Sequence, residues 1–234
     1  MNKLRLVMVA GTVLACAGMV LAGGSKSYAS PVFNLVNDGG FEAPSVGGPF
    51  TSYNAGDTFG GWHVDSGGID LINKYWTSEE GVQSVDMNGT TPGAISQTVN
   101  GLSVGHAYQL SFWLAGNPTG GPTIKTLQTS LGGSVLGTNT FDITGKTYTA
   151  MGWTEYTYDF TAANTSTNLA FQSLSTDPCS PVSGASACGP ALDNVSIRAV
   201  PEAATTVTAF VYVLLTGLVL MVRNRKRATV KASA

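Results

Sequence analysis

Tyr108-Gln109-Leu110-Ser111-Phe112-Trp113-Leu114 alternates along its whole length. Successive side chains of an extended chain point to opposite faces, so Tyr108, Leu110, Phe112 and Leu114 share one side and Gln109, Ser111 and Trp113 the other. The first set belongs in a core and the second faces outward. The same period returns in Trp153 to Phe160, where Tyr156, Tyr158 and Phe160 alternate with Glu155, Thr157 and Asp159. Between Pro31 and Ala199 the apolar residues keep to short runs broken by Gly, Pro, Asn and Asp, the pattern of an all-β sandwich. Strands are expected at Val32–Val36, Trp62–Val64, Ile69–Ile72, Val82–Met87, Ala94–Val99, Tyr108–Leu114, Ile124–Leu131, Trp153–Phe160, Asn168–Leu174 and Ala191–Arg198. Gly116–Pro122 reads as a loop from its turn residues, and no internal repeat appears. About ten strands in two sheets predict a single jelly-roll β-sandwich rather than a small barrel.

Both ends of the chain differ from this pattern. Lys3 and Arg5 precede an apolar run from Leu6 to Leu21, and Ala22 or Ala29 offers a small residue for cleavage; residues 1–29 therefore read as a secretory signal peptide. Val13-Leu14-Ala15-Cys16 is a weak lipoprotein box, but more apolar sequence follows it. At the other end, Val200-Pro201-Glu202 leads into the nearly charge-free run from Ala203 to Val222, then Arg223-Asn224-Arg225-Lys226-Arg227. As a helix rising about 1.5 Å per residue, 203–222 would be roughly 30 Å long, enough to cross a bilayer. The basic cluster after it stays cytoplasmic and the preceding chain faces outward. Residues 200–234 thus resemble the PEP-CTERM sorting signal of Gram-negative bacteria, with Ala203 where that signal carries its second proline. The resemblance implies an exosortase-type protease as a partner. It also implies anchoring in the inner membrane by the C-terminal helix before processing, then delivery to the cell surface or extracellular matrix.

Residues 30–199 hold thirteen acidic side chains against four basic ones, Lys74, Lys125, Lys146 and Arg198. Binding a phosphate backbone needs clustered Lys and Arg, so nucleic acid is excluded as a partner. With Cys16 in the signal peptide, Cys179 and Cys188 remain as an even pair, and an oxidising compartment predicts a disulfide between them. Such a link contributes about 2–3 kcal/mol in the chain-entropy account.

Three separated segments carry a family resemblance. They are Asn34-Leu35-Val36-Asn37-Asp38-Gly39-Gly40-Phe41-Glu42; Glu79-Glu80-Gly81-Val82-Gln83-Ser84-Val85-Asp86-Met87-Asn88-Gly89 with Ile95-Ser96-Gln97-Thr98; and Cys188-Gly189-Pro190-Ala191-Leu192-Asp193-Asn194-Val195. Together they resemble the galactose-binding-like jelly rolls, above all the bacterial choice-of-anchor C proteins and their plant cell-wall relatives of unknown function. Behind these stand the carbohydrate-binding modules. The resemblance to those modules implies a structural Ca²⁺ held by the Glu42, Glu80 and Asp193 carboxylates and the Gly40 and Gln83 carbonyls, with Glu79 as the alternative to Glu80. Such a mixed oxygen set suits calcium. The competing reading is that Glu42 and Asp193 bond to turn amides.

Sugar binding needs aromatic faces and a few placed polar groups outside the core. Trp113 lies on the outward side of its strand, Tyr75-Trp76 sit in a polar segment, and Asn73 and Gln109 supply amides. Trp62 and Trp153 are assigned to packing. No Gly-x-Ser-x-Gly elbow, His-Glu-x-x-His or P-loop occurs. His63 and Asp65 share a strand face with no activated nucleophile. The expectation is a non-catalytic exported protein that binds, or is embedded in, extracellular polysaccharide. The alternatives are a structural or adhesive surface protein that binds another protein, and a glycan-active hydrolase, whose paired carboxylates are a spatial feature hidden from sequence.

Overall fold

The computed structural model describes residues 33–176 and 188–201. Twelve strands are ordered along these residues: β1 (Phe50–Asn54), β2 (Thr58–Phe59), β3 (Trp62–Ser66), β4 (Gly68–Asn73), β5 (Gln83–Asp86), β6 (Ala94–Asn100), β7 (Ala107–Gly116), β8 (Ile124–Leu131), β9 (Ser134–Asp142), β10 (Thr154–Thr161), β11 (Ser166–Ser173) and β12 (Pro190–Ala199). They form two six-stranded sheets, one in the order β1-β4-β5-β12-β7-β10 and the other in the order β2-β3-β6-β11-β8-β9. The ladders within each sheet are antiparallel. The result is an all-β two-sheet sandwich, as the alternation in β7 predicts. The expected signal peptide at 1–29, the expected span at 203–222 and Cys179 lie outside the described residues. Among the described residues no helix is long and apolar enough to cross a membrane.

Tyr108, Leu110, Phe112 and Leu114 are all buried, while Gln109 is exposed and Trp113 half-buried. Across the gap between the sheets, Phe112 of β7 meets Phe171 of β11 edge to face at 5.1 Å. Phe171 in turn lies 6.1 Å from Trp62, which lies 5.4 Å from Phe41. On the other side Tyr156 and Tyr158 stack on Phe112 at 5.8 and 6.3 Å. One chain of aromatic rings therefore joins both sheets to the N-terminal segment, using residues that each bury a large apolar area. Trp62 is fully buried, and Trp153 packs half-buried against the core with its indole N–H donated to the Thr77 carbonyl at 3.0 Å.

Nine of the ten expected strands are present, and the described part of the tenth, residues 33–36, is not a strand. There the Leu35 amide donates to the Ile197 carbonyl at 2.9 Å, but the Ile197 amide goes to the Asn34 side-chain oxygen at 3.1 Å. A side chain takes the place of the next backbone rung. Three strands were not expected, namely β1, β2 and β9. β1 and β9 are sheet edges with mostly exposed residues, and β2 is an edge of two residues.

The N-terminal segment lies so close to β12 that a Cβ built on Gly39 would stand 1.9 Å from the Val195 carbonyl oxygen. A Cβ on Gly47 meets nothing within 4 Å. Gly39→Ala is therefore expected to lower the midpoint of urea unfolding well below that of Gly47→Ala. Equal midpoints would contradict the close approach.

Candidate functional site

The three motif segments come together as a clasp. β12 carries a bulge between Asp193 and Ser196, with Asn194 at φ 46°, a left-handed conformation that Asn tolerates. The bulge leaves Val195 free to exchange bonds with the first segment. The Val195 amide donates to the Gly39 carbonyl at 2.8 Å, and the Asn34 amide group donates to the Val195 carbonyl at 2.9 Å. Beside it, one Asp193 oxygen accepts the Glu79 and Glu80 amides at 2.8 and 3.1 Å, and the other accepts the Asn194 amide at 2.7 Å. Asn194 then donates its side-chain N–H to Glu79 at 2.7 Å. From the first segment, one Glu42 oxygen accepts the Val82 and Gln83 amides at 2.7 and 2.9 Å. The Gln83 side chain closes the ring, accepting the Val46 amide at 2.7 Å and donating to the Phe41 carbonyl at 2.6 Å.

The expected calcium residues are thus neighbours, with several of their oxygens already serving backbone amides. Calcium takes six to eight oxygens, whereas both Asp193 oxygens and one of Glu42 face amide hydrogens, and Glu80 turns toward the Gly40 backbone. Among the described residues no three His, Cys, Asp or Glu side chains form a group able to hold a metal. As arranged, the Asp193 carboxylate and one Glu42 oxygen serve the loop amides. Burial pushes the Asp193 carboxyl up to about 7, against the opposing effect of the Glu80, Asn194 and Glu79 amides.

The loop that the clasp holds also shapes a groove. At the end of β4, Lys74 sits at φ 61°, a left-handed conformation uncommon for a residue with a long side chain. The turn sends Tyr75 outward, 43% exposed, and Trp76 inward, 4% exposed. Trp76 donates its indole N–H to the Ser84 hydroxyl at 2.8 Å and joins the core. Trp76 borders the groove, as expected of a site residue, but its ring is buried rather than offered as a free face, because the backbone turn puts it inside. Asn73 is corrected too: its amide N–H groups donate to the Val46 and Gly48 carbonyls at 2.5 and 3.2 Å and tie down a loop.

Tyr75 meets Tyr148 edge to face at 5.1 Å and Phe50 at 6.4 Å. The Thr77 amide donates to the Tyr148 carbonyl at 2.8 Å, which fixes the two walls of the groove to each other. The open hollow between them is about 320 Å³, bordered by Lys74, Tyr75, Ser78, Val82, Tyr148 and Thr149 among others. A hydrogen bond with Tyr148 and, secondarily, burial hold the Tyr75 hydroxyl above the usual phenol range. Gln109 and Trp113 lie outside this groove. Gln109 donates to Asp159 at 2.9 Å, and Trp113 faces Asp193 on one side and Glu155 on the other. Phe50 and Tyr148 carried no sequence signal for this role; only tertiary structure brings them to Tyr75.

A second hollow, about 500 Å³, lies on the other sheet, bordered by His63, Ser96, Thr98, Asn100 and Asn168 among others. His63 bonds Asp65 through Nδ1 at 2.9 Å, and the Ser96 hydroxyl donates to the same Asp65 oxygen at 2.9 Å. The serine thus addresses the carboxylate and not the imidazole, which is not the arrangement of a nucleophile beside its base. No Phe, Tyr or Trp borders this hollow.

At the end of the sandwich beside Cys188, Asp86 is buried. It accepts the Asn88 and Gly189 amides at 3.0 and 2.8 Å and the Asn117 side-chain amide at 2.9 Å. Desolvation nevertheless pushes its carboxyl up to about 7. Cys188 is disulfide-bonded. Its carbonyl accepts the Lys125 ammonium at 2.7 Å.

A two-sheet sandwich fastened by the Asn34–Glu42 segment, the Glu79–Gln83 loop and the β12 bulge defines the class of this chain. It belongs to the family described as protein of unknown function DUF642, whose pattern matches residues 34–198. It is 32% identical over 197 residues to halomucin of Haloquadratum walsbyi, a match covering 81% of this chain and 2% of that protein. The chain therefore spans a small fraction of that relative's length. Among solved structures it is similar to a CBM35 from Paenibacillus barcinonensis, 20% identical with a TM-score of 0.41, covering 63% of this chain and 97% of that one. It is also similar to a family 35 carbohydrate binding module from Clostridium thermocellum, 16% identical with a TM-score of 0.38, covering 63% and 90%. A third similar structure is the CBM22 xylan-binding domain from P. barcinonensis, 16% identical with a TM-score of 0.41, covering 65% and 95%.

Two outcomes follow from these geometries. The Asp86 carboxyl is raised in the folded state, so its contribution to stability is complete below the ordinary value of 3.8 and is lost as pH rises through about 7. Unfolding free energy measured from pH 4 to 8 should fall across that window, and Asp86→Asn should flatten the fall. An unchanged slope in the variant would contradict the assignment. Because amides satisfy Glu42 and Asp193, a chelator is expected to leave the Tm where it is. A bound calcium at 100 times its Kd would instead add about 2.7 kcal/mol, which a chelator would remove.

Proposed function

We propose that this chain is a non-catalytic exported module that binds extracellular polysaccharide through the groove between Tyr75 and Tyr148. The observation that carries this reading is the outward Tyr75 ring, braced edge-on by Tyr148 and Phe50 and bordered by Lys74, Ser78 and Thr149. A sugar ring presents an apolar face and a rim of hydroxyls; an exposed aromatic face next to a few hydroxyl and amine groups is its chemical complement. Export rests on the sequence of the two ends: the signal peptide at 1–29 and the PEP-CTERM-like tail at 200–234, with an exosortase as processing partner and the cell surface or matrix as destination. The absence of catalysis rests on the Ser96, Asp65 and His63 arrangement and on the amide-bonded state of the Glu42 and Asp193 carboxylates.

A rival reading, a surface protein that binds another protein, draws on the exposed apolar side chains Phe50, Tyr75 and Val82. Co-sedimentation of the purified chain with the parent organism's exopolysaccharide and a panel of insoluble glycans separates the two. Tyr75→Ala is expected to weaken retention by about tenfold, which corresponds to ~1.4 kcal/mol, while Trp113→Ala retains it. Full retention by Tyr75→Ala would remove the groove from the reading, and no retention by the native chain would favour the protein-binding alternative.

A further inference from the structure

Resting on that glycan reading, we infer that the groove selects an acidic polysaccharide, one carrying carboxylate groups, and that Lys74 is the residue that selects it. Among the described residues Lys74 is the one charged residue bordering the groove. This stands out in a domain where acids outnumber bases thirteen to four. The other bases are occupied or placed elsewhere. Lys125 is buried on the Cys188 carbonyl, the Lys146 ammonium lies 5.6 Å from the Phe141 ring centre, and Arg198 stands opposite Gln109 near the end of β12. Lys74 is exposed, and no hydrogen bond or ion pair within the described residues engages its ammonium.

The nearby acids are held by the clasp: Glu79 accepts the Asn194 amide group, Glu80 lies against Gly40, Asp193 accepts the Glu79 and Glu80 amides, and Glu42 accepts the Val82 and Gln83 amides. Among the described residues none of these carboxylates borders the groove, whereas Lys74 does. The backbone at Lys74 adds a second argument. A left-handed φ of 61° is one that glycine adopts at less cost than lysine. The turn itself does not require the butylammonium chain. That chain stands beside an exposed aromatic ring, where it can pair with a carboxylate on a sugar stacked against Tyr75.

The domain's overall negative charge opposes a polyanion at long range. At about 0.15 M salt, however, charges beyond ~8 Å are screened and the ligand senses the groove's own ammonium.

The test uses the full chain in detergent, with chelator present so that calcium cannot bridge polymer and protein. Retention is measured on immobilised polygalacturonate and on its fully methyl-esterified form, which keeps the backbone and removes the charge. The native chain is expected to favour the acid form by about threefold to tenfold at about 0.15 M salt, converging toward equality near 1 M. Lys74→Gln and Lys74→Gly are both expected to bring retention on the acid form down to that on the ester. Lys74→Gly should also unfold at the same or a higher temperature, which separates loss of selection from loss of fold. Equal retention of acid and ester by the native chain, or a preference that survives both substitutions, overturns the inference and leaves glycan binding standing. Absence of retention on either polymer and on every other glycan of the panel overturns the glycan reading itself.

Discussion

The structure depends on carboxylates that hold loop amides. Asp193 takes the Glu79 and Glu80 amides and Glu42 takes those of Val82 and Gln83, so two acids from opposite ends of the domain grip one loop. Hydrogen bonds to an ionised acceptor are worth more than neutral ones. Here they offset only part of the cost of taking Asp193 out of water, and desolvation still leaves its carboxyl raised. Removing either acid would leave a set of backbone donors unsatisfied, a larger loss than the bonds themselves. Because the gripped loop carries Tyr75 and Ser78, fold and site share this one fastening.

That sharing gathers the three sequence motifs around one loop, and it made their role hard to read. Asn34 to Glu42, Glu79 to Gly89 and Asp193 to Val195 are legible as belonging together, but an acid that ligates a cation and an acid that accepts amides look alike in sequence. The difference lies in where each oxygen points, and only the bulge at Asp193 and the turn at Gly39 decide it.

Strand positions were legible wherever one face is buried and the other wet, as in β7 and β10, because burial imposes a period of two. β1 and β9 escaped because an edge strand shields little of its inner face, so its residues need not alternate. β8 was placed at its observed bounds, yet Ile124 is 46% exposed and Lys125 fully buried. Leu127 and Thr129 set the phase of that strand, and Lys125 follows them inward, where the carbonyls of Gly121 and Cys188 receive its ammonium. Trp76 shows the same limit within the site. A left-handed lysine has no signature in sequence, so nothing announced that Tyr75 would face out and Trp76 in.

β12 lies in the middle of its sheet, between β5 and β7, and its last residues remain engaged: the Val200 amide still donates to the Ala107 carbonyl. The Asn34–Gly39 segment is bonded along the same strand. A pull on the chain beyond Val200 would therefore act lengthwise on a strand held on both sides. Antiparallel rungs loaded in this direction share the tension rather than opening one after another like a zipper. The domain therefore passes its chain onward through a strand whose load is distributed over several rungs at once.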